Sequence, residues 1–198
     1  IGALLYDYRL APEHPFPAGM QDTLTAYRWL LEQGVQSDRI VIVGESAGGG
    51  LCLASLLAIS AENLPLPTAG VALSPWTDLT CSGESYRTNA LKDISTLGSW
   101  DIWSGYYVGS NDPKHPWISP LYGDLHGLPP IMIQVGDHEI LLDDSLRFAE
   151  KARAAGVAMD LHVWEGMVHC FPLLAPMFPE APQAWEETID YVVRHLEK

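Results

Sequence analysis

Short apolar runs alternate with stretches of helical spacing along most of the chain. Residues 3–8, 40–43, 70–73, 131–135 and 159–164 read as strands, mostly buried on both faces. Residues 21–33 place Leu24, Tyr27, Leu30 and Leu31 on one helical face, and Gly34 closes the pattern. Residues 47–61 form a helix rich in Ala and Leu. Asp143 and Asp144 are placed to cap a helix running to about residue 155, which Gly156 stops. Residues 183–196 form a closing amphipathic helix. This alternation predicts a mostly parallel sheet with helices on both faces.

Two stretches break the rhythm. Residues 80–116 are long and set Trp100, Trp103, Tyr106 and Tyr107 at helical spacing. They read either as a surface helix packing its aromatics on the core or as a lid over a site. Residues 170–182 carry Pro172, Pro176, Pro179 and Pro182 and read as an irregular loop. The chain shows no internal repeat and no low-complexity tract.

The 198 residues are 47% apolar and 18% charged, which fits one folded domain with a buried core. The charge balance is 11 − 25 = −14, so nucleic acid and anionic membrane surfaces are poor candidate partners. No apolar run approaches the ~20 residues of a membrane span. Cys52, Cys81 and Cys170 are odd in number and widely spaced, against a disulfide framework or a zinc site. Reduced thiols imply a cytoplasmic location. The chain opens at Ile1, without methionine, inside an apolar run, which reads as a strand already under way in a longer protein. The basic start and cleavage site of a signal peptide do not occur.

The informative motif is Gly44-Glu45-Ser46-Ala47-Gly48, of the form G-x-S-x-G, between a strand and a helix. Such a turn exposes the Ser46 hydroxyl. It also sets the Ala47 N–H, at a helix N-terminus, beside a developing oxyanion. Small residues two before and two after the serine let the neighbouring chain pass closely. A glycine-rich turn that merely contains serine is the bland alternative. A phosphate cradle is disfavoured, because Gly48-Gly49-Gly50 lacks the G-x-G-x-x-G spacing and no Gly-Lys-Ser/Thr follows.

A serine nucleophile needs a base, and the base an orienting acid, in the chain order Ser, acid, His. His169 lies five residues beyond the strand ending at Trp164, at the sheet edge where a parallel sheet collects its active groups. His14, His115 and His126 sit in loops, His162 is mid-strand, His195 is in the last helix, and His138 precedes the end of the acidic segment. Asp137, Glu139, Asp143 and Asp144 all follow the strand at 131–135. Spacing leaves Asp137 and Glu139 as equal candidates.

These motifs together resemble the hormone-sensitive-lipase family of bacterial α/β-hydrolase esterases. Asp7-Tyr-Arg-Leu-Ala-Pro-Glu-His-Pro-Phe-Pro-Ala18 is similar to a signature segment of that family, and Gly44-Glu-Ser-Ala-Gly-Gly49 to its elbow. Leu73-Ser-Pro-Trp-Thr-Asp78, Gly136-Asp-His-Glu-Ile-Leu-Leu-Asp-Asp144 and Glu165-Gly-Met-Val-His-Cys-Phe171 resemble the later segments, in order, over essentially the whole chain. The resemblance selects Glu139 as the acid, because the family's acid precedes x-Leu-x-Asp. It implies an α/β-hydrolase fold with a helical lid insertion at about 80–116, residues 1–198 being the C-terminal portion of the catalytic domain. It further implies hydrolysis of short-chain carboxylic esters by Ser46, His169 and Glu139, with no metal or cofactor. The partner is then a small-molecule ester, and a homodimer is the assembly expected of such enzymes.

Three departures accompany the resemblance. The family's His-Gly-Gly-Gly segment, whose glycine N–H groups complete the oxyanion hole, does not occur in the 198 residues, and neither do the first strands of the fold. Losing one such donor costs about 10²–10³ in rate, so these motifs are also compatible with an inert chain. The family strand order also puts a missing strand between residues 3–8 and 40–43, which leaves either a gap or direct pairing of the two. Finally, Glu45 stands for the usual Asp and Cys170 for the usual Gly. The same fold can also carry a non-catalytic binding module, an amidase or a peptidase.

Overall fold

The structure is a computed structural model that describes residues 1–95 and 99–197. Its centre is a sheet of β1 (Val41–Glu45), β2 (Ala69–Leu73), β3 (Ile131–Gly136) and β4 (Met159–Trp164). The strands lie in the order β1-β2-β3-β4, and every pair is parallel. The two inner strands are buried at every position, as continuous apolar runs predict. The outer strands are only partly covered, and Val43 is half exposed.

Helices pack on both faces. Leu53, Leu56 and Leu57 of α2 (Ala47–Ala61) and Phe148 and Ala152 of α5 (Leu142–Ala154) meet Ile131, Ile133 and Val135 of β3. Met132, on the opposite pleat, meets Tyr191 of α6 (Glu180–Leu196), together with Ala69, Val71 and Leu73 of β2. The α6 stripe Ala181, Ala184, Thr188 and Tyr191 recurs every three to four residues, which turns one face inward. α1 (Ala18–Glu32) begins three residues before the predicted start and packs Leu24 and Tyr27 against Ala54, Ala58 and Ile59 of α2.

Residues 3–8 do not form the expected buried strand; they are unpaired and mostly exposed. A strand exists only where a neighbour accepts its hydrogen bonds, and none of the described strands lies beside them. The segment is instead tied to α1. The Tyr6 hydroxyl bonds Thr23 Oγ1 at 2.9 Å, and Arg9 pairs with Asp22 at 2.8 Å. Direct pairing of residues 3–8 with β1 is therefore ruled out.

The helix caps also differ. α5 follows Leu141, and no side chain caps it. Asp143 and Asp144 spend their carboxylates on distant backbone, Asp143 on the Ser85 N–H and Asp144 on those of Thr77 and Asp78. Gly34 and Gly156 do follow their helices in left-handed conformation, with φ of 84° and 80°.

Within residues 80–116 lie α3 (Ser85–Thr88) and α4 (Trp100–Val108). Positions 96–98 of the predicted insertion are outside the described residues. The aromatics of α4 divide between two sides. Trp100 is buried edge-on against Trp76, with centroids 4.8 Å apart, while Tyr106 is half exposed.

Candidate active site

Each of the four parallel strands delivers one polar group at its carboxyl end. Ser46 follows β1, Ser74 follows β2, Glu139 lies three residues past β3, and His169 five past β4. A parallel sheet gathers such ends along one edge, so residues far apart in the chain meet there.

Ser46 sits at φ 53°, ψ −117°, in the positive-φ region that costs a non-glycine residue about 1–3 kcal/mol. The surroundings hold it there. Its N–H bonds Leu73 O at 2.8 Å, and its carbonyl accepts the N–H groups of Gly50 at 3.0 Å and Trp76 at 3.1 Å. A Cβ on Gly44 would meet Gly48 O at 2.0 Å, so glycine is obligatory there. Gly48 differs from expectation: a Cβ there would meet nothing within 4 Å. The close approach belongs to Gly50, whose Cβ would lie 2.1 Å from Trp76 O. Ala47 opens α2, where the first N–H groups have no acceptor within the helix.

The structure brings Ser46, His169 and Glu139 together. Ser46 Oγ lies 2.8 Å from His169 Nε2, and His169 Nδ1 lies 3.2 Å from Glu139 Oε2. Glu139 is fully buried, and Oε1 accepts the Ser74 hydroxyl at 2.8 Å and the Gly136 N–H at 2.6 Å. The donors around this carboxylate assign the Nδ1 proton to the Glu139 side, which leaves Nε2 to accept from Ser46. Asp137, the other candidate acid, is occupied elsewhere: its Oδ1 accepts the Gly166 N–H at 2.7 Å. β3 and the histidine loop touch at Gly136, where a Cβ would lie 2.1 Å from Met167 O.

Burial pushes the Glu139 carboxyl up, and the hydrogen bond and charge of His169, the Gly136 N–H and the Ser74 hydroxyl pull the other way. Burial alone would lower His169. The hydrogen bond and charge of Glu139, with the charges of Asp93 and Glu45, outweigh it and raise the imidazole above its ordinary value. The Trp100 ring and the imidazole meet in a T-shaped contact, 5.6 Å between centroids.

A cavity of about 450 Å³ opens over Ser46 and His169, walled by Trp76, Trp100 and Trp103. A second, about 230 Å³, shares Ala47, Trp76 and Trp103 and continues past Tyr107 and Trp117. Both are mainly apolar.

The two flanking departures, Glu45 before the serine and Cys170 after the histidine, touch: the Cys170 thiol donates to Glu45 Oε1. Burial and this carboxylate push the thiol well up, which keeps it protonated. Among the described residues, Glu45, His169 and Cys170 are a group of donors close enough to share an ion, within 4.8 Å. Their donor atoms already satisfy one another or the Ser46 and Glu139 side chains.

Sequence reasoning missed several supporting residues. Ser74, at φ 48°, links Glu139 to the Cys170 N–H at 3.1 Å. Asn89 Nδ2 donates to the carbonyls of Asp137 and Glu139 at 2.9 and 2.8 Å. Asp93 accepts the His169 N–H at 2.9 Å. Only Ser74 lay in a segment with a visible pattern, Leu73-Ser-Pro-Trp-Thr-Asp78.

A parallel sheet with a strained serine at a strand-to-helix turn, and a histidine and carboxylate at its rim, defines an α/β hydrolase. The chain belongs to the α/β hydrolase fold family, whose model matches residues 2–173. It is 42% identical over 185 residues to an acetyl-hydrolase of Streptomyces hygroscopicus, covering 92% of this chain and 62% of that protein. It is 39% identical to an esterase of Acinetobacter venetianus, covering 93% of this chain and 62% of the relative. Among solved structures, an esterase of the bacterial hormone-sensitive lipase family superposes with a TM-score of 0.93 at 47% identity, covering 96% of this chain and 64% of the other. The resemblance read from the motifs is borne out at the level of the family. The chain spans about three fifths of the length of these curated relatives. Among the described residues no helix is long and apolar enough to cross a membrane.

Proposed function

We propose that this chain carries the catalytic residues of a carboxylic ester hydrolase acting on short-chain acyl esters. The observation that carries the reading is the hydrogen-bonded series Ser46 Oγ, His169 and Glu139, at 2.8 and 3.2 Å. Residues 1–198 then belong to one catalytic domain, and α4, within the predicted insertion at about 80–116, walls its site with Trp100 and Trp103. The names of the relatives, acetyl-hydrolase and esterase, support the reaction class.

In this mechanism Ser46 Oγ attacks the ester carbonyl carbon while His169 Nε2 takes the hydroxyl proton. The imidazolium is stabilised by Glu139, and the Ala47 N–H donates to the oxyanion. Collapse of the tetrahedral intermediate breaks the bond to the alcohol oxygen, which leaves with the proton from Nε2. Water then attacks the acyl carbon, losing a proton to His169 Nε2; collapse of this second intermediate breaks the bond to Ser46 Oγ, which takes that proton back, and the carboxylic acid departs. No step calls for a metal or cofactor. An apolar cavity beside Ser46 suits a small acyl or alcohol group, and the acidic surface suits a neutral one. The proposed location is cytoplasmic, and the proposed assembly is a homodimer.

The test compares wild type and Ser46→Ala with p-nitrophenyl acetate and the matching anilide, alongside labelling by a sulfonyl fluoride. Ester turnover lost in S46A, with Ser46 as the labelled residue, is expected. Undiminished turnover in S46A removes the assignment. Preference for the anilide makes the protein an amidase, and absence of both turnover and labelling makes it a binding module or an inert chain.

A further inference from the structure

We propose that Asp93 is a positioning residue that clamps the acid loop to the histidine loop and so sets the Glu139–His169 geometry. Resting on the reading of Ser46, His169 and Glu139 above, it adds a residue that touches none of the reacting atoms. The Asp93 carboxylate reaches the backbone on both sides of the pair. Oδ1 accepts the N–H of His169 itself at 2.9 Å, and Oδ2 accepts the N–H of Ile140, next to Glu139, at 2.8 Å. These partners lie 76 and 47 residues away in sequence.

The two oxygens also accept local donors, the Ile94 N–H on Oδ1 at 2.8 Å and the Ser95 hydroxyl on Oδ2 at 2.7 Å. Each oxygen therefore takes two donors, one local and one from a distant backbone N–H. One turn earlier, Asn89 holds the carbonyls of Asp137 and Glu139. The segment after α3 thus holds residues 137–140 from both the donor and the acceptor side, and Asp93 extends the grip to His169. Without it, the Ile140 and His169 amides lose their shared acceptor, and the two loops lose a direct link.

Charge follows the same path. The ionisable groups acting on His169 are Glu139 from the acid loop, Asp93 from the segment after α3 and Glu45 from the elbow, all acidic, with the Cys170 thiol beside them. Asp93 therefore favours the imidazolium that forms as Ser46 is deprotonated.

Asparagine is the discriminating replacement. It keeps the shape but offers one acceptor oxygen, and its NH₂ must face one of the two backbone N–H groups. The test measures kcat, KM and the pH profile of kcat/KM for p-nitrophenyl acetate in wild type, Asp93→Asn and Asp93→Ala, with amide hydrogen exchange at Ile140 and His169. In both variants kcat is expected to fall roughly 10–100-fold with little change in KM, as for a misplaced catalytic group. The acid limb of kcat/KM moves to lower pH, because one of the negative charges that raise the imidazole is gone. Exchange at Ile140 and His169 quickens while the amides of β2 and β3 stay protected. If D93A unfolds, D93N carries the same readouts.

An unchanged kcat in D93N overturns the proposal. So does a loss of activity with an unmoved acid limb and unmoved exchange at both amides, which would mark a merely structural role. Should the wild type hydrolyse no ester, the reading of the site fails instead. The exchange measurement still decides the clamp, with unmoved Ile140 and His169 amides overturning it.

Discussion

Replacing Glu139 with Gln keeps the volume of the acid and removes its charge, and the surroundings dictate the consequence. Three donors converge on the carboxylate: Ser74 Oγ at 2.8 Å and the Gly136 N–H at 2.6 Å on Oε1, and His169 Nδ1 at 3.2 Å on Oε2. Glutamine has one acceptor oxygen. If the NH₂ faced Gly136, two donors would meet in a fully buried place, at a cost of about 1–3 kcal/mol. The amide therefore turns its oxygen to Ser74 and Gly136 and its NH₂ to His169. Nδ1 must then accept, the ring proton moves to Nε2, and Ser46 faces a donor instead of a base. The same wrong tautomer in a Ser-His-Asp protease lowers kcat about 10⁴-fold, equivalent to ~5.5 kcal/mol of transition-state stabilisation. Steady-state hydrolysis of p-nitrophenyl acetate by Glu139→Gln is expected to show that loss in kcat with KM nearly unchanged. A thermal melt alongside confirms that the variant is folded. A folded variant retaining more than about a tenth of wild-type kcat would refute the reasoning.

Two further outcomes concern the frame of the site. Gly44→Ala drives a methyl to 2.0 Å from Gly48 O, against the backbone of Gly48 and Gly49, and a loss of more than about 3 kcal/mol in a denaturation experiment is expected. Gly48→Ala meets nothing within 4 Å and lies in the first turn of α2, so a melting temperature at or above wild type is expected; a large fall would contradict the geometry. Asp144 tests a buried carboxyl outside the proposed chemistry. Burial, with the charge of Asp78 beside it, pushes it up to about 8, while the N–H groups of Asp78 and Thr77 pull down. Its folded value lies above the unfolded one. The stability it contributes is therefore fully present below the ordinary aspartate range and lost as pH rises through about 8. Melting curves between pH 4 and 9 should fall more steeply for wild type than for Asp144→Asn, and parallel curves would show that Asp144 does not titrate in this way.

Read as sequence, the chain determined its own class. Apolar runs separated by helical patterns imply parallel strands, and such a sheet must gather its strand ends at one edge. G-x-S-x-G is local, because the turn, the small neighbours and the helix start all lie within a few residues of Ser46. His169 was legible for a related reason: it stands just beyond a strand end, where few residues compete. Local pattern stops there. Asp137 and Glu139 follow the same strand, and spacing does not separate them. In the fold, Gly166 occupies one and His169 meets the other. Asp93, Asn89 and Ser74 bond to backbone tens of residues away, and such contacts leave no periodicity in the chain. Residues 3–8 carry the apolar signature of a strand, yet a strand also needs a paired neighbour, and that is a tertiary property. The same holds for Asp143 and Asp144: a carboxylate at a helix start is a local cap only while no distant N–H group competes for it, and here distant ones prevail.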